Sequence, residues 1–187
     1  MSPSLLTRTA QFILDCEARR DAKGRLVVYR LPAGDGGGDF EVAGINERWD
    51  HDVAYELRRL VREGKHKEAE ERALAYYIEE TNPVRSWSSV PSVEAYLRDT
   101  AFNRGVRGAA RIVQRAVDVP DDGKVGPVTK AAIADLERTL AALLPRVRAA
   151  TESYERSIAP PVGARAKFWK GLVNRWNKRV EFAASLL

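Results

Sequence analysis

The 187-residue chain has one cysteine, Cys16, two histidines and no long uninterrupted apolar run. One cysteine cannot form an internal disulfide, and with only two histidines beside it the chain has no credible zinc set, so we expect no structural metal. The first residues lack the continuous apolar stretch of a signal peptide, and no segment is long enough to span a bilayer. We therefore expect synthesis in the cytoplasm without a signal peptide.

The overall amino-acid composition is typical of a folded protein. Hydrophobic residues make up 44% and charged residues 30% of the chain, whose length allows one domain or two small ones. The 31 basic residues exceed the 26 acidic ones and give a net charge of +5. Such an excess suits a polyanionic partner, which could be nucleic acid, cell wall or an anionic membrane surface.

Helical spacing of apolar residues dominates the sequence. It predicts a first helix that starts at Leu5, with Ser4 as N-cap, and ends near Glu17. A final helix is expected after Pro160 and Pro161, which break the pattern. The other predicted helices cover residues 53–62, 67–80, 92–102, 109–117 and 128–144, with Pro145 interrupting or kinking the last of these.

Strand-forming residues cluster at one place in the chain. Residues 26–29 and 40–43 are β-rich and flank a glycine-rich loop, which predicts a small β-hairpin after the first helix. The sequence therefore predicts a mainly α fold. We divide it into residues 1–95 and 96–187, and we expect the two parts to pack as one compact unit.

Carboxylates gather around this hairpin. Glu17 ends the first helix, and Asp35, Asp39 and Glu41 follow on the hairpin. In glycoside hydrolysis one carboxyl group protonates the leaving oxygen, while a second activates water or stabilises the oxocarbenium-like centre. The acid must stay protonated near neutral pH, which favours a junction where helix and hairpin exclude water. The alternative for Glu17 is a solvated residue in the charged run 17–21.

The partner of Glu17 stays open between Asp39 and Glu41. Alternation along a regular strand places both on the same face. Retaining and inverting glycosidases differ in the separation of their two carboxyl groups. We expect inversion, because a flexible glycine loop is a poor platform for a nucleophile that must be held tightly.

Five motifs run in order along nearly the whole chain. They are Glu17, DGGGD at 35–39 with Gly44 and Ile45, DTAFNRG at 99–105, VQRAV at 113–117 with DGKVGPVT at 122–129, and FWKGLVNR at 168–175. Together they resemble the motif series of the glycoside hydrolase family 108 lysozymes, the N-acetylmuramidases, with their C-terminal peptidoglycan-binding segment. The resemblance is more specific in the C-terminal half than in the catalytic half.

The resemblance implies a lysozyme-like helical fold and hydrolysis of the β-1,4 bond between N-acetylmuramic acid and N-acetylglucosamine, without metal or cofactor. It implies Glu17 as the acid, with Asp39 or Glu41 as its partner. The residues expected to bind substrate are Asp35, Asn46, Asn103 and Thr129. For Thr129 a structural alternative stays open, since its hydroxyl can bond back into the first turn of a helix.

The resemblance also implies a partner and a place of action. The partner is bacterial peptidoglycan, degraded by a monomeric, bacteriolytic enzyme of the endolysin kind. Without a signal peptide, the enzyme would need a phage holin or a bacterial secretion system, or cell lysis, to reach the periplasm or cell wall.

Two other function classes compete with this interpretation. Ala18 and Arg19 replace the two glycines that follow the glutamate in the family pattern, which leaves open a non-catalytic peptidoglycan-binding or structural protein. A basic, helical chain suits nucleic acid as well. However, acidic and basic residues interleave in almost every helix, as at 65–72, and no uninterrupted basic recognition helix is present. We therefore do not expect a nucleic-acid partner.

Overall fold

The structure, a computed structural model, describes residues 4–32, 38–138, 140–158, 162 and 166–186. For residues 140–142 it describes the backbone alone. The chain divides into two compact units, Met1–Glu80 and Thr81–Leu187. Across the described part, every helix is too short or too polar to cross a membrane.

Three helices frame the first unit. Helix α1 spans Leu5–Glu17, α2 spans His51–Arg62 and α3 spans His66–Glu80. Helix α1 starts where the sequence predicts, because the Ser4 side chain accepts a hydrogen bond from the Thr7 backbone N–H at 3.2 Å. It buries one apolar face, and α3 packs against both α1 and α2.

A three-stranded antiparallel sheet lies between α1 and α2 in the sequence. Strand β1 is Tyr29–Arg30, β2 is Phe40–Val42 and β3 is Ile45–Asn46, in the order β1-β2-β3. The mainly α fold and the hairpin after the first helix are thus confirmed, although β1 starts only at the last residue predicted for it. Strand β3 was not predicted. It forms because Ala43 and Gly44, with φ of 54° and 72°, reverse the chain within a two-residue turn.

The register gives this sheet two faces. The apolar residues of β2 and β3 are buried. Tyr29, Glu41 and Asn46 lie opposite one another across the three strands and so share the other face. Glu41 is therefore on the side of the sheet that faces away from the apolar core.

The second unit is built from helices in the part that the structure describes. These are a 3₁₀-helix at Asn82–Ser86, α4 at Pro91–Ala116, α5 at Pro127–Glu137, α6 at Leu140–Ile158 and α7 at Ala166–Ala184. Helix α4 packs against α6 and α7, and apolar side chains of α4, α5 and α6 dominate the core. The predicted division between residues 95 and 96 lies inside α4.

One glycine and one proline lie inside the helices of the second unit. Helix α4 contains both helices predicted over 92–117, joined across a kink at Gly105, whose φ is 68° and ψ is 164°. The predicted single helix 128–144 is wrong, since α5 ends at Glu137 and α6 begins at Leu140. Pro145 lies inside α6, so no helix ends there, although proline lacks the N–H for one backbone hydrogen bond to the carbonyl four residues earlier. The break predicted at Pro160 lies outside the described residues.

Candidate active site

Glu17 is the last residue of α1, at the point where the chain turns towards the sheet. The next residue, Ala18, has extended backbone geometry, and its N–H donates to the Leu14 carbonyl at 2.7 Å. The Glu17 side chain is partly buried against the β2–β3 turn. A methyl group at Gly44 would lie 3.0 Å from both Cβ and Oε2 of Glu17, and the φ of 72° also favours glycine here. The carboxyl group therefore lies where the helix meets the hairpin.

Tyr77 braces the turn that touches Glu17. This α3 residue is fully buried, and its hydroxyl donates to the Ala43 carbonyl at 2.6 Å. Removing that donor would leave the buried carbonyl without this partner, which costs about 1–3 kcal/mol. Tyr77 is therefore a positioning residue, which fixes the turn and through it the surroundings of Glu17.

Glu41 is held by an arginine from the segment that follows Glu17. The Nε of Arg19 lies 3.6 Å from Oε1 of Glu41, and the Glu41 side chain is 20% exposed. The guanidinium of Arg19 also stacks over the ring of Tyr29, 3.7 Å from its centroid. The end of α1 and the non-core face of the sheet thus present Glu17, Arg19 and Glu41 in one region, which we call the candidate active site.

Asp39 is held through its backbone. Its N–H donates to Oε2 of Glu47 at 2.9 Å and its carbonyl accepts from the Leu31 N–H at 3.0 Å, while the residue itself is exposed. Asp39 precedes β2, so strand alternation does not orient its side chain. Asp35, predicted to bind substrate, lies outside the described residues. Over the described ranges, no group of three metal-ligating side chains occurs.

Asn46 supports an exposed tryptophan beside the candidate active site. Its Oδ1 accepts from the Trp49 backbone N–H at 3.2 Å. The following residue, Asp50, is hydrogen-bonded to the Tyr76 hydroxyl, and burial together with this bond raises the pKa of Tyr76. Trp49 itself is 70% exposed, and the backbone N–H of the next residue, Asp50, donates to the Asn46 carbonyl at 3.0 Å. Sequence reasoning missed Trp49, although an aromatic residue in a polar turn before a helix is a usable signal.

Thr129, predicted to bind substrate, is engaged inside the second unit. It is 4% exposed, and its Oγ1 lies 3.4 Å from Nε2 of Gln114. The same Nε2 donates to Asp122 Oδ1 at 2.7 Å, and Oε1 of Gln114 accepts from the Gly123 N–H at 2.9 Å. The motifs at 113–117 and 122–129 therefore bind each other, and Thr129 has a structural contact, although its partner is Gln114 and not the first turn of its own helix. A glycan contact by Thr129 stays a prediction.

Asn103, also predicted to bind substrate, lies beside a buried ion cluster. Its Nδ2 donates to the Asp99 carbonyl at 2.7 Å. The carboxylate of Asp99 is fully buried and binds Arg179 and, at 2.6 Å, Arg175. Burial alone would raise the pKa of Asp99, but the charges of the two arginines outweigh it and hold that pKa below its usual range. The motif at 99–105 and the last residue of the closing motif thus meet in the structure.

Comparisons with known proteins identify the fold. No family model matches the sequence, and no curated protein matches it. Among solved structures, the fold is similar to that of SagA from Brucella abortus, with a TM-score of 0.63. The match covers 97% of this chain and 94% of the SagA chain at 20% sequence identity. At this identity the likeness shows a shared fold, and the chemistry must be argued from the residues.

Proposed function

We propose that the protein is a peptidoglycan hydrolase, a muramidase that cleaves the β-1,4 bond between N-acetylmuramic acid and N-acetylglucosamine. The observation that carries the proposal is the contact of the Glu17 carboxyl group with the hairpin turn that leads to Glu41. The family resemblance of the motifs supports it. The fold shared with SagA supplies a scaffold for the site and leaves the reaction open.

In the proposed reaction Glu17 donates its proton to the glycosidic oxygen as the bond to the anomeric carbon breaks. A second carboxylate either attacks the anomeric carbon, where positive charge develops, or acts as a base that activates a water molecule to attack it. We favour Glu41 over Asp39, because Arg19 and the strand hold Glu41 on the face beside the end of α1. Reduced freedom of a catalytic side chain lowers the entropy cost of reaching the transition state.

We further propose that Trp49 contacts the glycan strand. An exposed indole offers a flat apolar surface to the C–H face of a sugar ring, and it loses little conformational entropy when it binds. The hydrogen bond from the Trp49 backbone N–H to Asn46 Oδ1 ties Trp49 to the strand residue that lies opposite Glu41. Asn46 thereby acts as a support for Trp49, in addition to the substrate contact predicted for it.

Digestion of purified sacculi tests the proposed function. Sacculi are incubated with the protein, and the soluble fragments are reduced and analysed by mass spectrometry. A muramidase releases fragments whose reducing end is N-acetylmuramic acid. Fragments ending in N-acetylglucosamine, free stem peptides, or no fragments at all would each contradict the proposal.

The same assay identifies the second carboxylate, and NMR of the unreduced products, recorded early in the reaction, gives the stereochemistry. We expect Glu41→Gln to lose far more activity than Asp39→Asn. If Asp39→Asn loses more, the assignment of Glu41 is wrong. The anomeric configuration of the first product then tests the expected inversion. That expectation assumes a partner on the glycine loop, and Glu41 on β2 is a firmer platform that also suits a nucleophile.

One observation favours a non-catalytic peptidoglycan-binding protein as the second candidate. Arg19 stands where the family has a glycine, and its contact with Glu41 occupies part of that carboxylate. Binding to sacculi without any released fragment would select this candidate. Under either candidate we propose that the protein works on bacterial peptidoglycan in the periplasm or cell wall.

A further inference from the structure

Two arginines of α4 lie side by side under a loop of the second unit. Arg107 and Arg111 are one helical turn apart, and the loop passes directly over them at Gly123. A methyl group at Gly123 would lie 2.7 Å from Cγ of Arg107 and 3.3 Å from Nε of Arg111. The φ of Gly123 is 79°, so glycine is required here by both space and backbone geometry.

The neighbouring arginines of the same helix have carboxylate partners. Arg104 binds Glu155, and Nε of Arg115 lies 2.6 Å from Oδ2 of Asp121. By contrast, Nε of Arg111 is buried and has no hydrogen-bond partner anywhere in the described chain. A buried donor without an acceptor is unfavourable, so an acceptor that reached the more accessible nitrogens of this guanidinium would offset the cost of the buried one.

Asp122, an acidic residue of the overlying loop, already has hydrogen-bond partners within the second unit. Oδ1 of Asp122 accepts from Gln114 Nε2 at 2.7 Å and from the Lys124 N–H at 2.8 Å. These hydrogen bonds lower the pKa of Asp122, and the charge of Arg107 adds to the effect at a distance. Asp122 therefore holds the loop in place over the arginines and leaves the donors of Arg107 and Arg111 for another acceptor.

We propose that Arg107 and Arg111 form a binding site for an oxyanion, and that the natural ligand is a carboxylate of the peptide stems attached to the glycan. Guanidinium groups match the planar geometry of carboxylates and bind them through paired charge-assisted hydrogen bonds. Arg107 is exposed and Arg111 partly buried, so a ligand can approach from solvent. The choice of a stem-peptide carboxylate rests on the proposed function, whereas the oxyanion site itself does not.

Sedimentation with sacculi at 4 °C tests this site without requiring cleavage. The probes are teichoic-acid-free sacculi, walls that carry teichoic acid, and the glycan strands after enzymatic removal of their peptides, whose binding is measured by calorimetry because they are soluble. We expect Arg107→Ala with Arg111→Ala to weaken binding to the sacculi about tenfold or more, since each charge-assisted hydrogen bond is strong. Binding to the peptide-free strands should be the same for parent and variant.

The control removes the same charge from α7. Lys170→Ala with Lys178→Ala, two exposed positions, should leave binding to sacculi unchanged. An equal loss in both double variants would show general electrostatic attraction and overturn the proposal. A loss seen only with teichoic-acid walls would show a phosphate ligand and overturn the assignment to peptide stems.

A second variant guards against loss of structure. Arg107→Glu places a repelling charge at an exposed position, so it should fold and should weaken binding to sacculi at least as much as the double alanine variant. Unchanged binding by a folded Arg107→Glu protein would refute the site. Because sedimentation reports binding alone, a protein that binds in this way but releases no fragments would disprove the muramidase and leave the oxyanion site standing.

Discussion

The carboxylates of the two units differ in how completely they are enclosed. In the second unit Asp99 and Glu155 are 0% and 2% exposed, and arginines bind both of them. In the first unit Glu17 is partly buried, and Glu41 is 20% exposed beside an arginine that is itself 55% exposed. A carboxylate that is fully buried in an ion pair stabilises the fold and is out of reach of a substrate. A carboxylate at a helix end that is accessible to solvent can also bind or react with a substrate. We therefore expect substitutions in the enclosed pairs of the second unit to change stability most, and substitutions at the proposed site of the first unit to change activity most.

The largest expected effect is on the chemistry of the first unit. Glu17→Gln keeps the shape of the side chain and removes the proton that the leaving oxygen needs. Loss of general acid catalysis lowers rates by about 10²–10⁴. Clearing of a sacculus suspension measures the rate, while sedimentation and thermal unfolding should remain as in the parent. Near-normal lysis by a folded Glu17→Gln protein would place the acid elsewhere.

The next largest effect is on the stability of the second unit. Asp99→Asn leaves the buried guanidinium groups of Arg175 and Arg179 without their counter-charge. Breaking a buried pair in this way costs about 3–5 kcal/mol in the free energy of unfolding. The matched control is Asp135→Asn, whose partner Arg138 is 80% exposed, and which should cost no more than about 1 kcal/mol. Urea unfolding of both variants measures the difference, and equal losses would contradict the contrast.

The same variant has a defined pH dependence. The folded-state pKa of Asp99 lies below its usual value, so its carboxylate stabilises the fold fully above the unfolded pKa of about 3.9. That stabilisation is lost as the pH falls through the lowered folded-state pKa. The gap in unfolding free energy between parent and Asp99→Asn should therefore be constant from pH 7 to about 5 and shrink in stronger acid. A gap that already closes near pH 6 would show that another group titrates.

This contrast also explains which parts the sequence could predict. The motifs of the C-terminal half are specific because they bind each other: Asp99 meets Arg175, and Gln114 meets Asp122. The sequence shows the residue types of such a pair at two distant positions. It does not show that the two side chains are in contact in the folded protein. Helix α1 was predictable to its last residue from its cap and apolar spacing.

The candidate active site was only partly predictable for a different reason. Glu17 and Glu41 could be named from the sequence, but the contact of Arg19 with Glu41 joins a helix end to a strand. Strand β3 depends on the two-residue turn at Ala43, where a residue other than glycine adopts a positive φ. Alanine in that conformation departs from the residues usually found in such turns, so β3 and the face it completes were not predicted.

A smaller effect is expected from Gly44→Ala, which tests whether the hairpin turn positions Glu17. The added methyl group would approach the Glu17 carboxyl group to 3.0 Å, and the φ of 72° strains any residue other than glycine. Gly64→Ala is the matched control, because its φ is 75° and nothing lies within 4 Å of the added group. Both variants should lose about 1–2 kcal/mol of stability.

Only Gly44→Ala should also lose activity, by up to about 10²-fold, since a displaced catalytic group loses its alignment with the reacting bond. Thermal unfolding and sacculus clearing of the pair separate strain from positioning. If Gly64→Ala loses as much activity as Gly44→Ala, the contact with Glu17 has no special role.

The smallest expected effect concerns Trp49. Because its side chain is 70% exposed, Trp49→Ala should change the free energy of unfolding by no more than about 0.5 kcal/mol. Loss of the stacking surface should raise KM for glycan strands by roughly three- to tenfold at unchanged kcat, in line with about 0.5–1.5 kcal/mol for an aromatic contact. Phe168→Ala, a change of similar kind at a 57% exposed position of the second unit, should leave KM unchanged. Trp49→Phe should recover part of the affinity, because a smaller ring still stacks. Equal increases of KM for Trp49→Ala and Phe168→Ala would mean that general surface hydrophobicity, and not a glycan contact beside Glu17, sets the affinity.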